Sequence, residues 1–300
     1  MRPAAGFQPG LRSRPASRIA SGCAATATNC NAVANTDARR VLNLNNGGQF
    51  GAITGLDDGG NASYNGLLLS AEHRFAKGFS LETNYTLSHC ITDAEVTGTT
   101  GVLSTYSNPY NRLADRGNCS ADRRNLFNLI SVAQTPKFAN RTLHAIASGW
   151  QLAPIFRVAS GAPLNILAGA DRALNGGANS NNGFTQRAQQ VQVNAYGPNT
   201  GGFRQWLDPA AFIQPALGTY GNVGYNNLVA PRTWGLDVAL SRRFEVRESQ
   251  HVEVRFEAFN VTNSFIPGLP AIGVTNPGTF GQIRSAGNPR IMQFAMKYVF

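Results

Sequence analysis

Long stretches of alternating apolar and polar residues recur through the C-terminal part of this 300-residue chain. In the last stretch, RIMQFAMKYVF, the even positions carry large apolar side chains: Met292, Phe294, Met296, Tyr298 and Phe300. A period of two residues predicts a β-strand, because successive side chains of a strand point to opposite faces. The terminal residues of soluble domains usually fray, so a terminus this apolar is expected to lie against an apolar environment.

Six earlier segments predict six more strands. Five of them alternate clearly: YNGLLLSAEHRF from Tyr64, FSLETNYTLSHC from Phe79, HAIASGWQLAPIFRV from His144, TWGLDVALSRRF from Thr233 and HVEVRFEAF from His251. The sixth, NLFNLISVAQ from Asn125, also predicts a strand, but its periodicity does not settle which side chains share a face. A tight turn at Ala76-Lys77-Gly78 is expected to join the first two strands into a hairpin.

The composition supports an all-β chain with long loops. The sequence has 32 glycines and 15 prolines, and only 14% of its residues are charged. Residues 1–62 lack sustained periodicity and are interpreted as an irregular external loop or a disordered segment, whereas residues 63–300 hold the strands. A Gly- and Asn-rich stretch of roughly 70 residues before Thr233 is too long for a simple connection, so it is expected to fold partly on itself.

Strand length and loop length together indicate the architecture. The predicted strands run about 9 to 12 residues, which is the length needed to cross a bilayer obliquely. Their connections alternate between short and long, as in outer-membrane barrels, where short turns lie in the periplasm, apolar side chains face lipid and polar side chains face the lumen. Seven antiparallel strands cannot close such a barrel, so the prediction is the C-terminal part of a larger antiparallel transmembrane β-barrel with long external loops. Because the chain would then begin in an external loop, no leader is expected at Met1.

Several other classes of protein are not favoured. The formal net charge is +10, but the arginines are scattered and no nucleic-acid-binding module is present, so no nucleic-acid partner is expected. There is no run of 18 apolar residues and no signal-peptide core. The four histidines are far apart, and Ser160-Gly161 lacks a surrounding G-x-S-x-G, so we expect neither an enzyme nor a bound metal or cofactor.

Four cysteines lack the CxxC spacing typical of zinc sites. Cys90 closes one predicted strand and Cys119 follows after a loop, so a disulfide between them that ties the loop is the expected pairing. The chain-entropy model gives such a bond about 3 kcal/mol of stability. The sequence leaves open whether Cys23 and Cys30 pair.

Two further sets of side chains carry structural predictions. Aromatic residues near strand ends are expected to form the girdles that mark membrane interfaces; these are Trp150, Trp234, Tyr85 and Tyr298. Charged residues on two neighbouring strands are expected to form a cross-strand ladder in the lumen; these are Glu253, Arg255 and Glu257 with Asp237 and Arg243.

The ordered set of segments resembles the C-terminal barrel strands of TonB-dependent receptors of the Oar-like type. The likeness covers roughly residues 39–300 and rests on the order and spacing of the following segments: SYNGLLLSAEHRFAKGFSLETNYTLSHCITDAE, DRRNLFNLISVAQ, SGWQLAPIFRVASGAPLNI, LDPAAF, GTYGNVGYNNLVAPRTWGLDVALSRRF, FEAFNVTN and FGQIRSAGNPRIMQFAMKYVF.

This resemblance implies a 22-stranded outer-membrane barrel with an N-terminal plug, which imports a scarce ligand using energy relayed through TonB. It implies outer-membrane lipid and the barrel-assembly machinery as partners, with Tyr298 and Phe300 as the assembly signal. Contact with TonB would come only through N-terminal regions that this sequence lacks. The sequence does not identify the ligand.

The sequence is also compatible with two alternatives. A secreted β-sandwich that binds glycans or adheres to surfaces would have shorter strands and two packed sheets. A passive porin-type barrel would share the strands but lack a plug domain.

Overall fold

Seven long strands form one sheet in the structure, a computed structural model that describes residues 42, 49–50, 59–93, 96–97, 102–103, 106–108, 111–174, 186–197, 204–247 and 250–300. We call this sheet the wall. Its strands are β1 (Ala62–Ala76), β2 (Phe79–Thr92), β3 (Asn125–Gln134), β4 (Trp150–Ala159), β5 (Thr233–Arg247), β6 (Gln250–Phe259) and β7 (Ile291–Val299). Most of the segment 1–62, predicted to be irregular, lies outside the described residues; β1 begins at Ala62, one residue before the expected boundary.

Each strand of the wall pairs antiparallel with the strand next to it in the chain. The predicted all-β antiparallel fold is therefore confirmed. The described residues hold no second long sheet packed against the wall, as a β-sandwich would require. Within the described residues β1 pairs only with β2 and β7 only with β6, so both edges of the wall are open.

The β1–β2 hairpin has the predicted turn. Lys77 and Gly78 connect the strands, with φ angles of 52° and 82°. Positive φ at both central residues is the geometry of a two-residue type I′ turn, whose twist matches that of the flanking strands. Glycine takes this conformation without steric cost, which explains why the turn falls at this point in the sequence.

The connection between β3 and β4 differs from the prediction. The strand expected from His144 begins only at Trp150, and a helix, α1 (Arg141–Ala147), comes before it. The side chain of Asn140 caps this helix by accepting hydrogen bonds from the backbone N–H groups of Thr142 and Leu143 at 2.9 and 3.2 Å. The prediction was wrong because the apolar residues of this short segment fit a period of two as well as a helical turn.

The three long connections, 93–124, 160–232 and 260–290, lie at the opposite end of the wall from the short turns. We call their described residues the cap. The cap contains four pairings of short strands: Val96–Thr97 with Val102–Leu103, Gly117–Asn118 with the end of β2, Pro163–Leu164 with Leu228–Val229, and Gln189–Gln190 with Phe212–Ile213. It also contains two 3₁₀ turns, Arg112–Asp115 and Pro209–Ala211.

A compact hydrophobic core lies in the cap. Its buried members are Ala162, Leu164, Ile166, Ala188, Ala195, Leu207, Ala211, Phe212, Val223, Leu228, Ala230 and Phe280. The rings of Phe212 and Phe280 meet edge to face with centroids 5.5 Å apart, so two different connections share one core. The prediction that the long Gly- and Asn-rich connection folds on itself is confirmed for its described residues.

Glycine allows backbone segments of the cap to approach closely. A Cβ atom at Gly161 would lie 1.6 Å from the carbonyl oxygen of Ala230, and one at Gly117 would lie 1.9 Å from that of Tyr225. Any larger residue at these positions would push the segments apart. No helix in the described part of the chain combines the length and the apolar character needed to cross a membrane.

Candidate functional site

The wall has one apolar face and one polar face. Residues paired across antiparallel strands project to the same side, so the register defines each face. One row crosses six strands and is apolar throughout; its members are Phe79, Ala133, Leu152, Leu240, Phe256 and Phe294. We call this side the apolar face. It contains the odd positions of β1 as far as His73, the odd positions of β2 and β3, and the even positions of β4–β7, with register shifts near the turn ends of β1 and β5.

The register also settles the facing of β3. Phe127 and Leu129 lie on the apolar face, opposite Val158 and Phe156 of β4. The alternate residues of β3 include Ile130, which lies on the other face although it is apolar. Apolar residues on both sides explain why the sequence of this strand has no clear period of two.

Aromatic residues occur near both ends of the apolar face. At the cap end, Tyr85, Phe127, Val158 and Trp234 form one row across β2–β5. At the turn end, Phe244 and Tyr298 share a row through Val252 of β6. Phe244 lies ten positions after Trp234 in β5, which is about 34 Å along a strand, or about 26 Å across a membrane at a tilt of about 40°. This spacing matches the apolar band of an outer-membrane barrel, about 25 Å tall.

Charged residues on the polar face form a short series along β6. The guanidinium of Arg255 contacts Glu253 at 3.0 Å and Glu257 at 3.5 Å. The predicted ladder was to run across strands, but these ion pairs lie within one strand, where residues two apart share a face. Arg243 likewise pairs with Glu245 of its own strand at 3.0 Å.

Asp237 has a different role from the one predicted. Its carboxylate accepts a hydrogen bond from the backbone N–H of Asn260 at 2.8 Å, at the point where β6 enters the cap. The interaction fixes the start of the last long connection. Sequence periodicity placed Asp237 on the correct face but could not show that its partner is a loop residue.

Amide side chains do bridge neighbouring strands of the polar face. Asn128 donates to Asn84 at 2.9 Å, and Gln134 donates to Gln151 at 2.9 Å. A cavity of about 1080 Å³ opens at the turn end, mainly on this face, where Gln151, Arg255 and Glu257 line it; the connection 135–149 and the strand residues Trp150, Arg242 and Phe244 complete its lining. A polar, hydrogen-bonded side with a cavity is what a barrel lumen requires.

Cys90 and Cys119 form a disulfide in the structure, with their Cα atoms 5.3 Å apart. The backbone N–H of Cys119 donates to the carbonyl of Cys90 at 3.0 Å, and the carboxylate of Asp122 accepts from the N–H of Cys90 at 2.8 Å. These contacts fasten the first long connection to the end of β2. Asp122 was not singled out from the sequence, since nothing local marks it.

A buried ion pair joins two connections of the cap. The guanidinium of Arg187 contacts the carboxylate of Asp115 and also donates to the carbonyl oxygens of Ala114 and Val223. Asp115 in turn accepts hydrogen bonds from the backbone N–H and the hydroxyl of Ser107 at 2.9 and 2.6 Å. The paired residues are 72 positions apart in sequence, so no motif could have indicated them.

Tyr298 and Phe300 lie at the turn end of the wall, on the apolar face and just beyond it. Their ring centroids are 6.0 Å apart, and the Phe300 side chain is 89% exposed. Their role as an assembly signal stays a prediction. In the described part of the chain, no group of three or more His, Cys, Asp or Glu side chains could hold a metal ion.

A family model described as "Outer membrane beta barrel domain" matches residues 6–293. Searches of curated proteins and of solved structures gave no match. The match spans nearly the whole sequence and agrees with long antiparallel strands that have one apolar and one polar face. Membership of this family points to the outer membrane as the location of the protein. The chain therefore belongs to the outer membrane beta barrel domain family.

Proposed function

We propose that this chain is the C-terminal barrel portion of a TonB-dependent receptor of the Oar-like type, whose complete form imports a ligand across the outer membrane. The polar face then lines the lumen, the cap lies on the external side and the short turns lie in the periplasm. The chain acts in transport rather than catalysis. The order of its strand and loop segments, which resembles that family, supports this assignment.

The observation that carries the proposal is the pair of open edges. β1 and β7 each have one hydrogen-bonded neighbour among the described residues. Since the strand count is odd, β1 and β7 run in the same direction and cannot pair antiparallel with each other. An unpaired backbone edge in lipid costs several kcal/mol per group, so further strands are needed between them, and a longer receptor barrel supplies them.

Two features favour a gated receptor over an open pore. The cap has its own buried core, which includes Leu207 and Phe280. Its connections therefore pack into one compact body instead of extending as separate loops. The polar face carries both signs of charge around the cavity, including Arg255 and Glu253. A charged inner surface of this kind suits contact with a plug domain or a polar ligand.

The test begins with the coding sequence directly upstream of Met1, which we expect to encode an in-frame plug domain. The protein is then expressed in the outer membrane with and without that segment, and influx of a chromogenic β-lactam is measured. The complete receptor should leave influx at the background rate, whereas removal of the plug should raise it. The matched control is the same deletion in a strain that lacks functional TonB, where the increase should persist because diffusion needs no energy.

Two results would contradict the proposal. An upstream sequence without an in-frame plug would remove the receptor assignment. Rapid influx through the intact protein, unaffected by collapse of the inner-membrane proton gradient, would indicate a passive porin instead.

A further inference from the structure

The helix α1, between β3 and β4, has an exposed apolar side. Leu143 and Ile146 are three residues apart, so they lie on one side of the helix, and they are 49% and 65% exposed. Arg141 and His144 project from the opposite side, as helical periodicity requires. The helix is therefore amphipathic, and about half or more of its apolar side is left exposed by the described residues.

Side chains of the wall fix the C-terminal end of this helix. The indole N–H of Trp150 donates to the carbonyl of Ile146 at 2.8 Å. The guanidinium of Arg242 donates to the same carbonyl at 3.2 Å and to that of Ala145. Cations are favourable at helix C-termini because the last carbonyl groups have no partner within the helix.

Arg242 lies in a row of the apolar face, opposite Trp150 of β4 and Val254 of β6. Its guanidinium lies over the rings of Trp150 and Phe244, at 5.3 and 4.6 Å from their centroids. These contacts explain how an arginine is accommodated in an apolar row. They also hold α1 at the turn end of that face, next to the aromatic residues that mark the membrane interface.

The surroundings of α1 identify what covers Leu143 and Ile146. The connection 135–149 carries Lys137, Arg141 and His144 and has no Asp or Glu. Lys137, His144 and Ala145 line the cavity, and because His144 and Ala145 lie on one side of the helix, the apolar side of α1 points away from that cavity. β4 and β5 are interior strands, so strands added at either open edge of the wall would not reach this position.

We propose that α1 is an interfacial anchor that lies in the inner leaflet of the outer membrane, with Leu143 and Ile146 among the acyl chains and Arg141 near anionic phosphate groups. A basic amphipathic helix beside an aromatic girdle has the composition that binds such a surface. The anchor would fix the depth and orientation of the wall at its periplasmic side. This proposal depends only on membership of the membrane-barrel family, and it does not require that the protein imports a ligand.

The test uses the complete barrel that contains this chain, with Cys23→Ser, Cys30→Ser and any unpaired cysteine of the added strands replaced by serine, refolded into phosphatidylcholine vesicles that contain brominated acyl chains. A fluorescent label is placed at Ile146→Cys, at His144→Cys as the matched control on the opposite side of the helix, or at Met296→Cys on the apolar face of β7. Bromine quenches only labels that reach the acyl region. The Ile146→Cys label should be quenched nearly as strongly as the Met296→Cys label, and the His144→Cys label much less.

A second experiment varies the charge of the vesicle lipid. Phosphatidylglycerol added to the vesicles should strengthen quenching at Ile146→Cys. The variant Arg141→Glu should lower partition of the label into these vesicles by about fivefold or more, since each basic residue near an anionic surface contributes about fivefold.

Three results would overturn the inference. Quenching at Met296→Cys without quenching at Ile146→Cys would show that α1 stays in water. Crosslinking between Ile146→Cys residues of two chains, again without quenching, would show that a second copy covers the helix. Absence of quenching at Met296→Cys would mean that the apolar face does not face lipid. The proposal that α1 is a membrane anchor would then be wrong as well.

Discussion

The wall and the cap bury their apolar residues in opposite ways. In the cap, Phe280 is only 2% exposed and packs against Phe212 in a core drawn from separate connections. In the wall, Phe294 is 67% exposed, although it belongs to a row of apolar side chains that crosses six strands. The cap is built like a small soluble domain, whereas the wall keeps its apolar side chains on its surface.

This difference follows from the solvent that each region meets. A surface in lipid gains nothing by turning its apolar side chains inward, so the wall satisfies its backbone through strand pairing and leaves its apolar face to the acyl chains. The cap meets water and must exclude it from its apolar side chains. Its core is small, and the Arg187–Asp115 pair and the Cys90–Cys119 bond supplement it.

The largest effect on stability is expected from truncating a core residue of the cap. Phe280→Ala should lower the free energy of unfolding of the cap by about 3 to 5 kcal/mol, because it leaves a cavity in a packed core. The same change in the wall, Phe294→Ala, should leave cap stability unaltered, since that ring lies on the lipid-facing surface. Pulse proteolysis of the cap in outer-membrane preparations across a urea series measures both variants. Equal losses would show that the two regions are not built differently.

A slightly smaller effect is expected from the disulfide. The double variant Cys90→Ser/Cys119→Ser should destabilise the first long connection by about 3 kcal/mol, since a crosslink removes entropy from the unfolded chain. The matched control is Cys23→Ser/Cys30→Ser, which should leave this connection unchanged. Mass spectrometry of a non-reduced digest should find Cys90 and Cys119 joined in protein from the outer membrane, and free thiols at both would remove the prediction.

The smallest effect on stability, below about 1 kcal/mol, is expected from Phe300→Ala, because the ring is almost fully exposed and its removal opens no cavity. If Phe300 serves as an assembly signal, the same variant should nevertheless lose most of its insertion into the outer membrane. Lys297→Ala, on the polar face opposite Glu253, is the matched control and should insert normally. Cell fractionation followed by immunoblotting compares them. Normal insertion of Phe300→Ala would show that the terminal strand does not depend on Phe300 as an assembly signal.

Sequence patterns predicted most of the wall and little of the cap. The alternation of β7, from Met292 to Tyr298, specifies its facing because each side chain alternates with its immediate neighbours. One question that the sequence left open, the facing of β3, and one wrong prediction, the strand start at His144, have clear causes. β3 carries apolar residues such as Ile130 on its polar face, which hid its period, and α1 has too few residues to distinguish a helical period from an alternating one.

By itself, the sequence determined the strands of the wall, the tight turn at Lys77-Gly78 and the membrane-crossing character of the chain, because these follow from neighbours within a few residues. Only the tertiary structure decided which residues meet in the cap, that Arg187 pairs with Asp115, and that Arg242 holds the end of α1. Those partners are tens of residues apart in the chain. Their pairing depends on how the strands bring loops and turns together, which a local period cannot encode.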